Sequence, residues 1–178
     1  MTPLTRAAAA ASTLAAIALL VGATPLVAQR ISTVPTGQPV GGISCDEMEG
    51  QRIHIHQHLL ILDRGKSVDI PNNVGRPLGG QCLYWVHTHT PDGVIHIESP
   101  ANRTFTLGDF FAIWGQPLSE TRAATAFAKT GSKLKVWVDG KPYSGDPAKI
   151  PLLRHTDVVI EAGPPFSTPP RFTDWQQR

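Results

Sequence analysis

Histidine recurs at every second position in two short runs, His54-Ile55-His56-Gln57-His58 and His87-Thr88-His89, and a third pattern follows as His96-Ile97-Glu98. No other feature restricts the fold as tightly. Successive side chains of an extended strand alternate between its two faces, so residues two apart share a face. A helix would scatter the same residues around its circumference. Each run therefore specifies a strand and places its imidazoles together. Of the chain's 7 histidines, only His155 lies outside this region, beside Arg154 and Thr156, where it reads as a satisfied surface or core histidine.

The strand over Ile53–Leu62 alternates at first and then becomes continuously apolar. It ends at the turn Asp63-Arg64-Gly65-Lys66, and Ser67–Ile70 starts back as a hairpin. Leu83–Thr90 reads as a second strand, and Pro91-Asp92-Gly93 as a turn, because proline presets φ and glycine tolerates positive φ. Val94–Glu98 then returns. With Thr90 and Gly93 closing the turn, His89 faces Val94, His87 faces His96 and Trp85 faces Glu98. That register puts His87, His89, His96 and Glu98 on one face of one hairpin. A neighbouring 53–62 strand would add His54, His56 and His58 to the same face.

The rest of the chain supplies further strands and one well-marked helix. Lys133–Val138 alternates and is followed by Asp139-Gly140, a strong hairpin signal. Asp157–Ala162 is apolar enough for a central strand. Thr106-Leu107-Gly108-Asp109 fits a capping box, with Phe105 and Phe110 placed as a hydrophobic staple. Leu107, Phe110, Phe111 and Trp114 follow helical spacing until Gly115 and Pro117 stop the helix. A weaker helical pattern runs from about Ser119 to Lys129. The expected fold is α+β: a mostly antiparallel sheet built from hairpins with one or two packed helices, in an arrangement that can be β-grasp-like. The 16 glycines and 16 prolines suit such a turn-rich chain.

Composition enters chiefly through compartment and partners. The formal net charge is +2, with no basic run and no acidic tail. Nothing in it asks for a nucleic acid or an anionic membrane surface. Residues 1–28 carry Arg6 followed by an Ala-rich apolar run and small residues, which reads as a secretory signal peptide cleaved after Ala23 or Ala28. If retained, the segment would be an N-terminal membrane anchor. Either way the remainder lies outside the cytoplasm, periplasmic or secreted. Residues 29–44 read as a flexible linker, 45–163 as a single histidine-rich metal-binding domain, and 164–178 as a Pro-rich tail that Phe172 and Trp175 could lay on the domain. In an oxidising space Cys45 and Cys82 default to a disulfide. No C-x-x-C spacing supports thiolate ligation of a metal.

A row of imidazoles can be a solvated polar surface, a hydrogen-bonded set or a proton-sensing cluster. Six of them on one face, however, leave many donors and acceptors to satisfy, and protonation would set like charges side by side. A bound transition metal resolves both problems. His54, His56, His58, His87, His89 and His96 are the candidate metal ligands, with His87, His89 and His96 at the core. All-imidazole ligation suits copper or zinc, with iron behind them. Met48 standing alone after the leader disfavours methionine-rich copper(I) binding, and the lack of clustered carboxylates disfavours calcium. Glu98 is the candidate catalytic residue, as general base toward a metal-bound water, or else an acid that orients a histidine.

Three segments, IHIHQHL, CLYWVHTHTPDGVIHIESP and FTLGDFFAIWGQPL, resemble a group of exported histidine-rich bacterial proteins of uncharacterised function. The resemblance covers roughly Cys45 to Ala162. It implies that His54, His56, His58, His87, His89, His96 and Glu98 belong to one shared motif, and it implies no reaction. Three functions remain open from the sequence: binding, buffering or delivery of a metal ion; a hydrolytic or oxidative metalloenzyme; and an interaction module stapled by metal. It names no protein partner.

Overall fold

The structure, a computed structural model, describes residues 37–175. The expected leader at 1–28 and residues 29–36 of the expected linker lie outside the described residues, as do 176–178 of the tail. Among the described residues no helix is long and apolar enough to cross a membrane.

The elements run β1 (Cys45–Asp46), β2 (Ile53–Asp63), β3 (Lys66–Ser67), β4 (Leu83–Tyr84), β5 (Val86–His87), β6 (Val94–Ser99), α1 (Leu107–Trp114), β7 (Leu118–Ser119), β8 (Arg122–Ala123), β9 (Ala126–Phe127), β10 (Lys135–Val138), β11 (Lys141–Tyr143), a 3-10 turn (Pro147–Lys149) and β12 (Asp157–Ala162). The main sheet has the order β11-β10-β12-β2-β6-β5, with β3 folded back on β2. Its neighbours are antiparallel except for β2 and β12, which pair in parallel at the centre. This is the α+β, mostly antiparallel fold expected.

The alternation along β2 decides what each face of the sheet does. Ile53, Ile55, Gln57, Leu59 and Ile61 face one way, in register with Ile95 and Ile97 of β6 and Val158 and Ile160 of β12. These residues, Gln57 apart, pack with Phe105, Leu107, Phe110, Phe111 and Ile113 into the apolar core. Gln57 is fully buried on that face and accepts a hydrogen bond from the Leu153 amide at 3.0 Å through Oε1. The helix is fixed in place by its own ends. Thr106 and Asp109 complete the capping box, and Gly115 closes the C-terminus in the left-handed conformation at φ 70°.

Turn chemistry holds the hairpins in register. Asp139 and Gly140 both take positive φ, at 51° and 73°, as a two-residue type I′ turn requires, and join β10 to β11. Gly93 cannot be replaced without strain. Its φ is 80°, its carbonyl accepts from the Leu59 amide at 2.9 Å, and a Cβ there would lie 2.3 Å from the Leu59 carbonyl oxygen.

Two expectations are corrected. The weak helical pattern at Ser119–Lys129 is the three-stranded meander β7-β8-β9. Ser119 and Thr121 spend their hydroxyls on local hydrogen bonds, which compete with a helix, and Ala124 sits at φ 49°. Ala123 and Ala126 are fully buried, so the segment's small residues serve close packing instead of helix propensity. The strand expected over Leu83–Thr90 breaks at Trp85 and ends at His87. The first piece leaves the main sheet to pair with β1, where the Trp85 indole donates to Asp46 at 2.6 Å. Beyond His87 the chain turns to the 71–76 loop, where Thr88 bonds Pro71, Asn73 and Val74.

The tail from Pro164 crosses the face opposite the helix. Phe166 packs under Lys135, Ser167 bonds Glu161, and Arg171 pairs with Asp157 at 3.3 Å. Phe172 stacks on His58 and Trp175 on His155, as their aromatic character suggested.

Cys45 and Cys82 form a disulfide, with Cα atoms 5.3 Å apart. The 37-residue separation sets its main effect, the loss of freedom in the unfolded chain. A Cys45→Ser/Cys82→Ser variant is therefore expected to lose about 4 kcal/mol of unfolding free energy. Paired urea denaturation curves check this, and an unchanged midpoint would contradict it.

Candidate metal centre

The helix-free face of the sheet carries the histidines. His87 stands opposite His96, as the hairpin implied, and the pairing of β2 with β6, which the sequence leaves without a register, sets His56 opposite His96 and His54 opposite Glu98. Two sets of donor atoms converge there. His54, His56, His96 and Glu98 each bring one atom within 4.8 Å of all the others in the set, and so do His87, His89, His96 and Glu98. The sets share His96 and Glu98. Glu98 sits at the meeting point. Its Oε1 lies 3.2 Å from His54 Nε2 and 3.3 Å from His96 Nδ1, and its Oε2 lies 3.6 Å from His87 Nε2.

Of the seven residues expected at the site, six are brought together. The seventh, His58, points to the same face but is drawn elsewhere. Its Nδ1 lies 2.8 Å from Asp157 Oδ1, and its ring stacks on Phe172 with 4.0 Å between centroids. Asp157 also accepts from the Phe172 amide and pairs with Arg171, so His58 is tied to the tail. Glu98, expected as a general base, lies inside both donor sets and is 3% exposed.

Neighbouring groups set which nitrogens are free. The Tyr84 carbonyl can only accept, so His87 donates to it through Nδ1 at 2.8 Å and turns an unprotonated Nε2 toward Glu98. Arg76 can only donate, and its Nη1 reaches His89 Nδ1 at 3.0 Å. The His89 proton is thereby left on Nε2, which donates to His87 Nε2 at 3.0 Å. Tyr84 and Arg76 escaped the sequence reading. A backbone carbonyl has no side-chain signature, and nothing in the spacing of Arg76 and His89 marks them as neighbours. Asp157 escaped it too, being 99 residues from His58.

The electrostatics favour neutral imidazoles around an ionised carboxylate. Burial pushes His87 down to about 4, against the smaller opposing pull of Glu98. Burial and the nearby His96 and His54 push His56 down to about 4 as well. His89 is lowered by burial, His96 and Arg76. Burial alone would raise Glu98. The His96 hydrogen bond and the surrounding His87 and His54 outweigh it and hold the carboxyl below its usual range. Two buried atoms in the cluster, His56 Nδ1 and Glu98 Oε2, have no hydrogen-bond partner. Buried polar atoms are rarely left so, because each costs about 1–3 kcal/mol. Both are atoms that donate lone pairs to cations.

His54 is the open side of the cluster, with 59% of its side chain exposed. It borders a cleft of about 500 Å³ walled by Glu47, Met48, Glu49, Gly50, Gln51 and Leu83. A larger hollow of about 590 Å³ lies at the opposite edge of the sheet, around Leu134, Val136, Trp137 and Tyr143. Neither donor set borders it.

No protein-family model, curated protein or solved structure matches the chain.

The depressed histidines give the metal-free protein a defined pH dependence. Between about 6.5 and about 4 the unfolded chain takes up a proton at His87 that the folded chain refuses. Stability is therefore flat above about pH 6.5 and falls as the pH drops toward 4, by roughly 3 kcal/mol for His87 alone. Denaturation midpoints of chelator-treated protein across this range check it. Stability that rose on acidification would contradict it.

Proposed function

We propose that this protein is exported and binds a transition-metal ion through His54, His56, His87, His89, His96 and Glu98, with copper or zinc as the cargo and binding, buffering or delivery as its role. The observation that carries the reading is the pair of buried lone-pair atoms without partners, His56 Nδ1 and Glu98 Oε2, amid imidazoles held neutral by burial. A metal ion accepts a carboxylate oxygen and several imidazole lone pairs at once. Nitrogen donors select copper, zinc and iron over calcium or magnesium. Export rests on the leader-like residues 1–28 and on the disulfide, which suits an oxidising compartment. The resemblance to exported histidine-rich bacterial proteins supports the same placement.

Glu98 serves this reading as a ligand. A general base needs an oxygen turned to a reacting water, whereas both oxygens of Glu98 face imidazoles. The exposed His54 offers the ion a route in and out, which suits reversible loading. Binding through His89 Nε2 displaces the proton there, so Nδ1 takes a proton and Arg76 lets go.

Elemental analysis of protein exported by its own host tests the reading. Wild type is expected to carry stoichiometric copper or zinc, and a His87→Ala/His89→Ala variant at least one ion fewer per chain. Wild type that neither carries nor takes up copper, zinc or iron would overturn it. Arg76→Met is expected to tighten binding by roughly tenfold, because it removes a competing hydrogen bond and a repelled cation. Competition titration against a chelator of known affinity measures this.

A further inference from the structure

Resting on the reading that the cluster binds metal, we propose that it holds two ions side by side, bridged by the carboxylate of Glu98. Two complete donor sets are present, and they overlap only at His96 and Glu98. One ion serving both would have to span His54 and His56 on one flank and His87 and His89 on the other. The distances around Glu98 divide the donors instead. Oε1 is the near oxygen for His54 and His96, at 3.2 and 3.3 Å. Oε2 is the oxygen toward His87, at 3.6 Å, and it has no hydrogen-bond partner. Each carboxylate oxygen thus has its own imidazoles.

The first ion takes His54, His56, His96 and Glu98 Oε1, four protein ligands from the paired strands β2 and β6. The second takes His87, His89 and Glu98 Oε2, three protein ligands, and keeps a position open. Four protein ligands complete a zinc-type site, whereas three leave a position for a water or another outside ligand. A carboxylate bridge places two ions about 3.5–4 Å apart. Two cations so close need a compensating charge between them, and Glu98 is the one carboxylate in either set. Its burial, with 3% exposure, removes the alternative that solvent neutralises it. Asp157, the other buried carboxylate on this face near the row, is occupied by His58, Arg171 and the Phe172 amide and joins neither set.

The full exported chain, stripped with a chelator and dialysed, is titrated with copper(II) and followed by electron paramagnetic resonance. Two ions per chain are expected. The signal per ion should fall as the second fills, and a half-field transition should appear, because paramagnetic ions at that separation couple. Saturation at one ion would overturn the proposal and leave the metal-binding reading intact. Two ions with full, uncoupled signals would overturn the bridge. His54→Ala/His56→Ala and His87→Ala/His89→Ala variants, checked for folding by near-ultraviolet circular dichroism, are each expected to retain one ion. A folded variant of either kind that binds none would show a single shared site and overturn the division. Glu98→Gln is expected to abolish the coupling. Failure of wild type to take up any copper(II), zinc(II) or iron(II) would remove the metal-binding reading itself, and this one with it.

Discussion

The register between β2 and β6 is the constraint on which the rest of the molecule depends. His56 stands opposite His96 and Ile55 opposite Ile97, so one face of the pair is imidazole and carboxylate and the other is aliphatic. A slip of one residue in either strand would carry its histidines into the apolar core and its isoleucines to the other face. The register is therefore enforced by core burial, and the geometry of the polar face follows from it. Gly93 closes the turn against Leu59, and the helix packs its Leu107, Phe110 and Ile113 on the aliphatic side. The polar cluster is precise because the opposite face of the same strands is not free to move.

Burial then gives this polar face its chemical character. Exposed histidines would titrate near neutral pH and repel one another when charged. Here His87 and His56 are screened from water by neighbouring strands and rings, and both stay neutral well below the ordinary imidazole range. Glu98 is held below its usual range among them, because the His96 hydrogen bond and the nearby His87 and His54 outweigh its lost hydration. The result is a set of lone pairs held together at the cost of hydrogen bonds that other buried groups would make.

Features of short range were legible in the sequence, and those of long range were not. The capping box at Thr106 and Asp109, the Asp139-Gly140 turn and the pairing of His87 with His96 depend on residues close together in the chain, and each stands as its local pattern implied. The parallel pairing of β2 with β12 joins segments far apart, and no local signal announces it. It is this pairing that brings Asp157 beside His58 and diverts that histidine from the row. The meander at residues 118–127 shows propensity yielding to packing, as the buried Ala123 and Ala126 serve close contact instead of a helix. The break at Trp85 has the same origin, since the indole's bond to Asp46 and the pairing of β4 with β1 outweigh continuation of one strand.

That break gives the disulfide a reach beyond its own loop. Cys45 pairs across to Tyr84 in the β1–β4 ribbon, and the Tyr84 carbonyl fixes the proton on His87. The covalent link thus braces, through two residues, the tautomer of the most deeply buried imidazole of the cluster. It also ties together the two segments that bring Glu47, Met48 and Glu49, and Leu83, to the lining of the cleft. In a reducing compartment the same chain would display its histidines on an unbraced rim. The oxidation state of its surroundings thereby bears on the bracing of the cluster as well as on the stability of the fold.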